Sequence, residues 1–550
     1  MRETSIPKTK FIVVTGGVIS GLGKGTVTSA IAFLLKAQGY NVSAIKIDPY
    51  INVDAGTMRP TEHGEVFVTF DGGETDQDLG NYERFLDVEL PKINSITTGQ
   101  VYLSVIQRER NLEYEGKNVE VIPHIPQEVQ RRIFEAASAS QADFMTIEVG
   151  GTVGDYQSVL FLEALREMRR VYGNVVFVHV AYLPIPHNLG EMKTKPAQHS
   201  VRALNAVGIM PDFLVARAAR TLDQVRREKL ASLCNMQDEA IIAAPDVPSI
   251  YEVPLLFEQQ GFAAMLLKKF GLSYTAGKLA QWSQFVRNIH AAKEEIAIAI
   301  VGKYFDIGDF TLEDSYVSVI ESIKHACWQV GRKPKVHWID SKIYEKDPQQ
   351  TAQLAQYAAI IVPGGFGGSG VEGKILAIRY AREHDIPYLG LCYGMQLAVI
   401  EFARNVCELK DANTTEINPS TPHPVIDILA EQKQKLADKD FGGTMRLGNW
   451  KAVLESDSVI SLLYGTTEVL ERHRHRYEVN PKYLAMLEAK GMRFSGKSVI
   501  GELVEFMELP KHRYFVGTQA HPEFKSRPLR PHPLFVGLVK AAISDRPHGM

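Results

Sequence analysis

The feature that most restricts this chain is a recurring alternation of short apolar runs with amphipathic segments. Residues 11–15, Phe-Ile-Val-Val-Thr, read as a buried strand; after a glycine-rich turn, residues 26–38 place Val27, Ile31, Leu34 and Leu35 on one helical face. Gly39 is a stop signal, and residues 42–47 read as the next strand. The order recurs with a strand over 143–149, a helix over 158–172 ending at Gly173, and a strand over 175–183. Strands alternating with helices require parallel pairing, with helices covering both faces of the sheet.

The rhythm lapses over 273–295, a polar segment with scattered apolar residues that reads as a linker containing some helix. It restarts with a strand at 296–301, a helix through 315–328 carrying Val319, Ile320, Ile323 and Cys327 in phase, and strands at 336–339, 358–363 and 386–391. The fold class is therefore α/β, with two α/β domains: residues 1–272, a linker at 273–295, and residues 296–545. A charged stretch, 433–439, reads as an exposed loop of the second domain.

Composition supports this and excludes other classes. A chain of 550 residues is long enough for two large domains, and 45% hydrophobic with 23% charged residues is the balance of a protein with sizeable cores. The formal net charge of −3 gives no global field toward nucleic acid or anionic lipid. Four cysteines, Cys234, Cys327, Cys392 and Cys407, are too few for a disulfide framework and form no C-x-x-C pair. The first ten residues lack the apolar core of a secretory signal, and the most apolar stretch, 175–186, falls short of the roughly 20 residues that cross a bilayer. The expectation is a cytoplasmic protein that binds neither membrane nor nucleic acid.

Between the first strand and first helix lies Gly16-Gly-Val-Ile-Ser20-Gly-Leu-Gly-Lys24-Gly-Thr26. Small residues let backbone N–H groups curl around phosphate oxygens, and a helix N-terminus adds partial positive charge. Lys24 is placed to reach the outer phosphates as a mobile charge. The loop departs from the usual P-loop: Gly17 is one residue too far from Gly23, and Gly25 stands where Ser or Thr normally follows the lysine. The plainer alternative is a glycine-rich turn with a surface lysine. A phosphate loop needs a hard cation with oxygen ligands; the acidic stretch from Asp71 to Asp78 and Glu148, at the carboxyl end of a strand, are the candidates. Lys193-Thr-Lys-Pro-Ala-Gln198, before a helical pattern, would suit a second polyanion, although such a loop is ordinarily only solvated.

The second half carries a nucleophile candidate. Leu389-Gly-Leu-Cys392-Tyr-Gly-Met-Gln396 follows a strand and opens a helix, the form of a nucleophile elbow, where the helix N-terminus favours the attacking thiolate. Pro363-Gly364-Gly365-Phe366-Gly367 ends another strand and has backbone N–H groups suited to an oxyanion. Gln519-Ala-His521-Pro-Glu523 supplies a base, His521, with Glu523 to hold its tautomer and charge. Cys234, Cys327 and Cys407 read as core residues. Arg472-His-Arg-His-Arg476 reads as an anion-binding tract, a substrate carboxylate being one candidate, rather than a metal tract.

These constellations resemble a known family. Residues 389–396, 364–367 and 521–523 are similar to class I, triad-type glutamine amidotransferase domains. The first half, with the segments 16–25, 46–58, 63–80, 147–155 and 193–200, resembles the synthetase domain of the CTP synthase family. The resemblance covers nearly the whole chain; the long segments 46–58 and 63–80 are specific, whereas the glutaminase motifs are shared by many enzymes. It implies a carbon–nitrogen ligase of pyrimidine biosynthesis in which ATP phosphorylates the 4-oxygen of UTP and ammonia displaces phosphate to give CTP. The ammonia comes from glutamine hydrolysed at Cys392 and travels between domains sheltered from bulk water.

By motif, the resemblance implies that Gly21, Leu22, Gly23, Lys24, Gly25, Thr26 and Asp78 hold ATP, with Asp78 and Glu148 binding Mg²⁺. It implies that Ser20, Asp155, Tyr156, Gln157, Lys193, Thr194, Lys195, Pro196, Ala197, Gln198 and Lys229 hold UTP, or CTP as feedback inhibitor. Gly365, Tyr393, Gly394, Met395, Gln396, Glu416 and Arg476 would position glutamine beside the catalytic Cys392, His521 and Glu523. A homotetramer, GTP as allosteric activator and filaments of stacked tetramers are implied as well. Two departures bear on regulation: Ser369 stands where family members often carry Arg, which implies a weak GTP response, and Gln157 stands where many bacterial relatives carry Glu, which implies altered CTP feedback. The rival readings are a cobyric acid-type amidotransferase, disfavoured by 46–80, and a nucleotide-sensing scaffold, disfavoured by the intact catalytic positions.

Overall fold

Seven apolar runs of the first half assemble into one parallel sheet: β1 (Lys10–Gly17), β2 (Val42–Asp48), β3 (Ser95–Thr97), β4 (Phe144–Val149), β5 (Val175–Tyr182), β6 (Phe213–Ala218) and β7 (Ile241–Pro245). Their order is β3-β2-β4-β1-β5-β6-β7, and every pairing between neighbours is parallel. The strands are buried along almost their whole length, as continuous apolar runs demand when helices cover both faces. Register then places chemistry: Val14 and Lys46 both pair with Glu148, so the carboxyl ends of β1, β2 and β4 lie level. The structure is a computed structural model, and it describes residues 8–188, 190–303, 306, 307, 310, 311, 313–428, 445–499 and 503–544. The charged stretch 433–439 lies outside these.

Helix α1 (Lys24–Ala37) follows the glycine-rich turn after β1, and α2 (Asp78–Leu86) and α3 (Lys195–Ala206) follow later crossovers. The helix expected near the linker is present at Ala280–Ala291. Its Trp282 is buried against Phe33, Phe85, Tyr251 and Phe285, so the start of this polar-looking segment is core of the first unit. The chain divides into two compact units, Met1–Thr57 with Thr75–Val286, and Met58–Glu74 with Arg287–Met550. Met58–Glu74 thus packs with the second unit although its sequence neighbours on both sides pack with the first.

The second unit is built on a nine-stranded sheet. Its strands are β8 (Glu295–Gly302), β9 (Lys333–Asp340), β10 (Ala359–Val362), β11 (Tyr388–Leu391), β12 (Arg446–Leu454), β13 (Glu468–His475), β14 (Arg493–Ser498), β15 (Val504–Glu508) and β16 (Phe515–Thr518). The order is β9-β8-β10-β11-β16-β15-β14-β12-β13. The first five are parallel, as the sequence rhythm predicts. The other four extend the sheet antiparallel, an addition the periodicity did not announce. Helices α4 (Val317–Gln329) and α5 (Tyr393–Asn405) pack on this sheet, and α5 starts directly from the end of β11.

Candidate active site

In the first unit, β1 ends in a strained turn: Val18 has φ 88° and Gly21 and Gly23 have φ 71° and 82°. A left-handed valine is costly, so the turn is held by its surroundings. Lys24 opens α1 and is buried, with 8% of its surface exposed, its Nζ donating to the Gly151 carbonyl at 2.8 Å. Burial lowers its pKa, against the opposing pull of Glu148. The departure at Gly25 has a geometric reason. A Cβ there would lie 2.3 Å from Asp78 Oδ1, so the carboxylate occupies the space that a Ser or Thr side chain takes in an ordinary P-loop.

A residue not singled out in the sequence lies at the centre. Lys46, at the carboxyl end of β2, is ion-paired with Asp78 and lies 3.3 Å from Glu148 Oε1, 3.7 Å from Asp48 and 3.9 Å from Asp76. Burial opposes its charge, but Asp76, Asp78, Glu148 and Asp48 outweigh it and hold the ammonium well above its usual pKa. Burial and then the Asp78 charge push Glu148 up to about 7. Asp78 moves the other way: burial is overcome by Lys46, and its pKa falls. Tyr82 donates a hydrogen bond to Glu148. Lys46 and Asp48 were legible in principle, since they sit at the carboxyl end of a parallel strand where ligands of such sheets bind.

The donor set suits a hard cation, because it contains only oxygen ligands. Among the described residues no group of three His, Cys, Asp or Glu side chains is arranged to hold a metal alone. A magnesium ion that takes most of its ligands from phosphates and water needs only one or two carboxylates, so Asp78 and Glu148 fit that use.

The other nucleotide candidates are mostly at the surface of this unit. Asp155 accepts from Thr152 N at 3.0 Å and Thr152 Oγ1 at 2.6 Å, and these bonds lower its pKa. Ser20, Gln157 and Lys229 are exposed, and Tyr156 is 97% exposed. Thr194 caps α3 and accepts from Gln198 Nε2 at 3.0 Å; Lys195 and Pro196 begin the helix, and Ala197 is core. Lys193 donates to Glu191 at 2.6 Å, and Lys193, Arg226 and Lys229 together depress the Glu191 carboxyl.

In the second unit, Cys392 sits between β11 and α5 with φ 48° and ψ −97°, a conformation a non-glycine residue holds only under constraint. Its N–H donates to Thr518 O on β16 at 2.7 Å, which fixes the turn. The side chain is 4% exposed; its Sγ lies 3.9 Å from Arg474 O and accepts from Gln519 Nε2 at 3.6 Å. His521 Nδ1 pairs with Glu523 Oε1 at 2.7 Å, and Nε2 has no hydrogen-bond partner among the described residues. Burial alone would lower the imidazole pKa, but Glu523 and then Cys392 reverse this and raise it to about 10. A Cβ on Gly364 would lie 2.7 Å from His521 Cε1, so glycine is what lets loop and imidazole meet.

Around the nucleophile, Tyr393 donates to Gly367 O at 3.1 Å, and Gly367 N donates to Glu416 Oε1 at 2.8 Å. Burial raises the Glu416 pKa, against Gly367 N–H, Lys303 and Arg476. Gly394 packs against Val362 O, where a Cβ would lie at 2.1 Å; Met395 is in the hydrophobic core; Gln396 donates to Tyr477 O at 2.9 Å. Gly365 lies beside Tyr393 and the buried Lys374, whose Nζ has no hydrogen-bond partner among the described residues, lies 5.4 Å from the Tyr393 ring centroid, and has a pKa that burial, then Lys303, drives down to about 7. Lys374 was not legible in the sequence, and Gln519 and Arg474, although in segments the sequence singles out, were given no contact with Cys392, because these roles come from packing. Of the Arg472–Arg476 tract, Arg472, His473 and His475 are buried, and burial keeps both imidazoles well below their usual pKa. Burial raises the thiols of the core residues Cys234 to about 11 and Cys327 to about 12, and raises that of Cys407, which is only half-buried and packs against the core rather than within it.

Comparison with known proteins fits both halves. Residues 10–272 match the family model described as CTP synthase N-terminus, and residues 311–541 match glutamine amidotransferase class-I. The chain is 51% identical over 542 residues to CTP synthase of Methanopyrus kandleri, covering 98% of this chain and 100% of that one. It is 50% identical to CTP synthase of Methanosarcina barkeri, covering 98% of this chain and 99% of the other. Among solved structures, the glutaminase domain of Trypanosoma brucei CTPS with bound acivicin is 36% identical, with a TM-score of 0.42, covering 45% of this chain and 93% of that one.

Proposed function

This chain belongs to the CTP synthase family, and on that premise we infer that it aminates UTP to CTP, with ATP as co-substrate and glutamine as nitrogen donor. The observation that carries the reading is that one chain holds both a buried phosphate-loop lysine, Lys24, and a Cys392–His521–Glu523 constellation. The residue assignments are ours. In the glutaminase half, the Cys392 thiolate attacks the carboxamide carbon of glutamine, and the C–N bond breaks as the His521 imidazolium gives its proton to the departing ammonia. Water, deprotonated by His521, then cleaves the glutamyl thioester to glutamate. Glu523 holds the tautomer, while Gly365, Tyr393, Gly394, Met395, Gln396, Glu416 and Arg476 shape the glutamine site. The Glu416 carboxylate would meet the substrate ammonium, and Arg476 its carboxylate.

In the synthetase half, the uracil 4-oxygen attacks the γ-phosphorus of ATP, ADP leaves, and ammonia then attacks C4 and expels phosphate. Residues 21–26 and Asp78 hold the phosphates of ATP, and Lys24 stabilises the transferring group as charge develops. Ser20, Asp155, Tyr156, Gln157, residues 193–198 and Lys229 hold UTP. Asp78 and Glu148 would hold Mg²⁺, which screens phosphate charge when bound. We further propose residues 1–272 as the synthetase domain, 273–295 as the linker, 296–545 as the glutaminase, a cytoplasmic setting, a homotetramer able to stack into filaments, CTP feedback and GTP activation. No helix among the described residues is long and apolar enough to cross a membrane.

Amide-¹⁵N glutamine supplied with UTP, ATP and Mg²⁺ tests the whole reading. The label is expected at N4 of the product cytosine; CTP without label, or no CTP, would sink it.

A further inference from the structure

The segment Met58–Glu74 is anchored within the second unit at several places that also support the catalytic groups. Phe67 is fully buried, and its ring meets Phe524 edge-to-face at 5.1 Å and 67°. Phe524 in turn stacks on the His521 imidazole at 5.3 Å and 17°. Arg472 lies over the Phe67 ring, 5.3 Å from its centroid. Its Nη1 donates to Val68 O at 3.0 Å, and its own carbonyl accepts from His521 N at 2.7 Å. One arginine therefore grips the segment with its side chain and the base with its backbone.

The neighbouring anchors reach the other two members. Arg474 Nε donates to Glu74 at 2.8 Å, and the Arg474 carbonyl lies 3.9 Å from Cys392 Sγ. Glu65 accepts from Ser318 N, at 3.1 Å to each carboxylate oxygen, at the start of α4. One turn on, Ser322 Oγ donates to the Glu523 carbonyl at 3.3 Å.

We propose that Met58–Glu74 is a strap that positions the glutaminase triad, with Phe67 as a positioning residue acting on His521 through the Phe524 ring. An imidazole that must take a proton from a thiol and give it to ammonia works only within a narrow range of orientations, so a stacked ring behind it controls turnover more than substrate affinity. The strap runs on in sequence into Asp76 and Asp78, so it joins the base to the nucleotide half along the chain. The proposal rests on the glutaminase reading above; wild-type glutamine hydrolysis tests that reading separately.

The experiment compares Phe67→Leu and the unbranched, more adaptable Phe67→Met with wild type. Glutaminase kcat and KM are measured alongside ammonia-dependent CTP formation, which bypasses the triad. The expected result is a glutaminase kcat about tenfold lower, the cost of a small misplacement, with KM and the ammonia reaction within about twofold of wild type. Phe524→Leu should lower kcat at least as much, and adding Phe67→Leu to it should change little further, since both act through one ring. Unchanged kcat in both Phe67 variants, equal loss of the two activities, failure of both variants to fold, or additive effects in the double variant would each overturn the proposal.

Discussion

In the glutaminase half the reactive groups are already tied to one another: Glu523 holds His521 at 2.7 Å, and Thr518 holds the strained Cys392 turn. In the nucleotide half the functional charges are instead tied up by an internal counter-ion, with Lys46 set among Asp48, Asp76, Asp78 and Glu148, while Ser20, Tyr156, Gln157 and Lys229 face solvent. The contrast follows from the substrates. A small amide brings little charge, so its site is built in working geometry. A triphosphate with its cation brings a great deal, and buried carboxylates left unpaired beforehand would be prohibitively costly. Lys46 lowers that cost in the free protein.

Three variants sharpen or break this comparison. The largest effect belongs to Cys392→Ala, expected to reduce glutamine-dependent CTP formation by about 10⁴-fold while leaving the ammonia-dependent reaction intact. Retained glutamine turnover would show that the self-organised half is elsewhere.

Lys374→Met comes next and is read in stability. The folded-state pKa of Lys374 is depressed to about 7 from 10.5. As pH falls through 10.5 the unfolded chain binds a proton that the folded chain refuses until about 7, so stability drops across that window and is level below it. Removing the amine should therefore stabilise the protein at pH 7 by several kcal/mol, of order 3–5, and the gain should fade as pH rises toward 10.5. Urea unfolding at both ends of the window measures it; a pH-independent difference would show that Lys374 is not buried and unpaired.

Lys24→Ala has the smallest of the three effects in free energy. It should lower CTP formation by about 10²-fold with either glutamine or ammonia, and leave glutaminase activity without nucleotides near wild type. A loss confined to the glutamine-dependent reaction would place Lys24 outside the phosphoryl-transfer machinery.

Much of this was legible along the chain because it is local. The loop 16–26, the elbow at Cys392 and the pair His521, Glu523 are short runs in which backbone turn and chemical group are neighbours in sequence. The parallel strands were legible as apolar runs of the right length. The antiparallel strands β12–β15 were not: they carry exposed, charged residues such as Lys451 and Glu468, so they lack the continuous apolar runs that mark the buried parallel strands. Lys46 was missed because a lysine inside a strand reads as a solvated edge residue until Asp76, Asp78 and Glu148 from elsewhere join Asp48 of its own strand around it. Lys374 reads as the polar face of a helix, yet it is fully buried.

The sequence by itself determined two α/β halves, the turns that present Lys24 and Cys392, and the candidates for the reacting groups, since these depend on periodicity and on residues adjacent in the chain. Only the tertiary structure decided that Lys46 holds the acidic floor, that Gly25 makes room for Asp78, and that Met58–Glu74 packs with the second unit while the residues flanking it pack with the first. The reason is physical: charge compensation and steric room depend on through-space distance between residues tens to hundreds of positions apart, which local pattern does not encode.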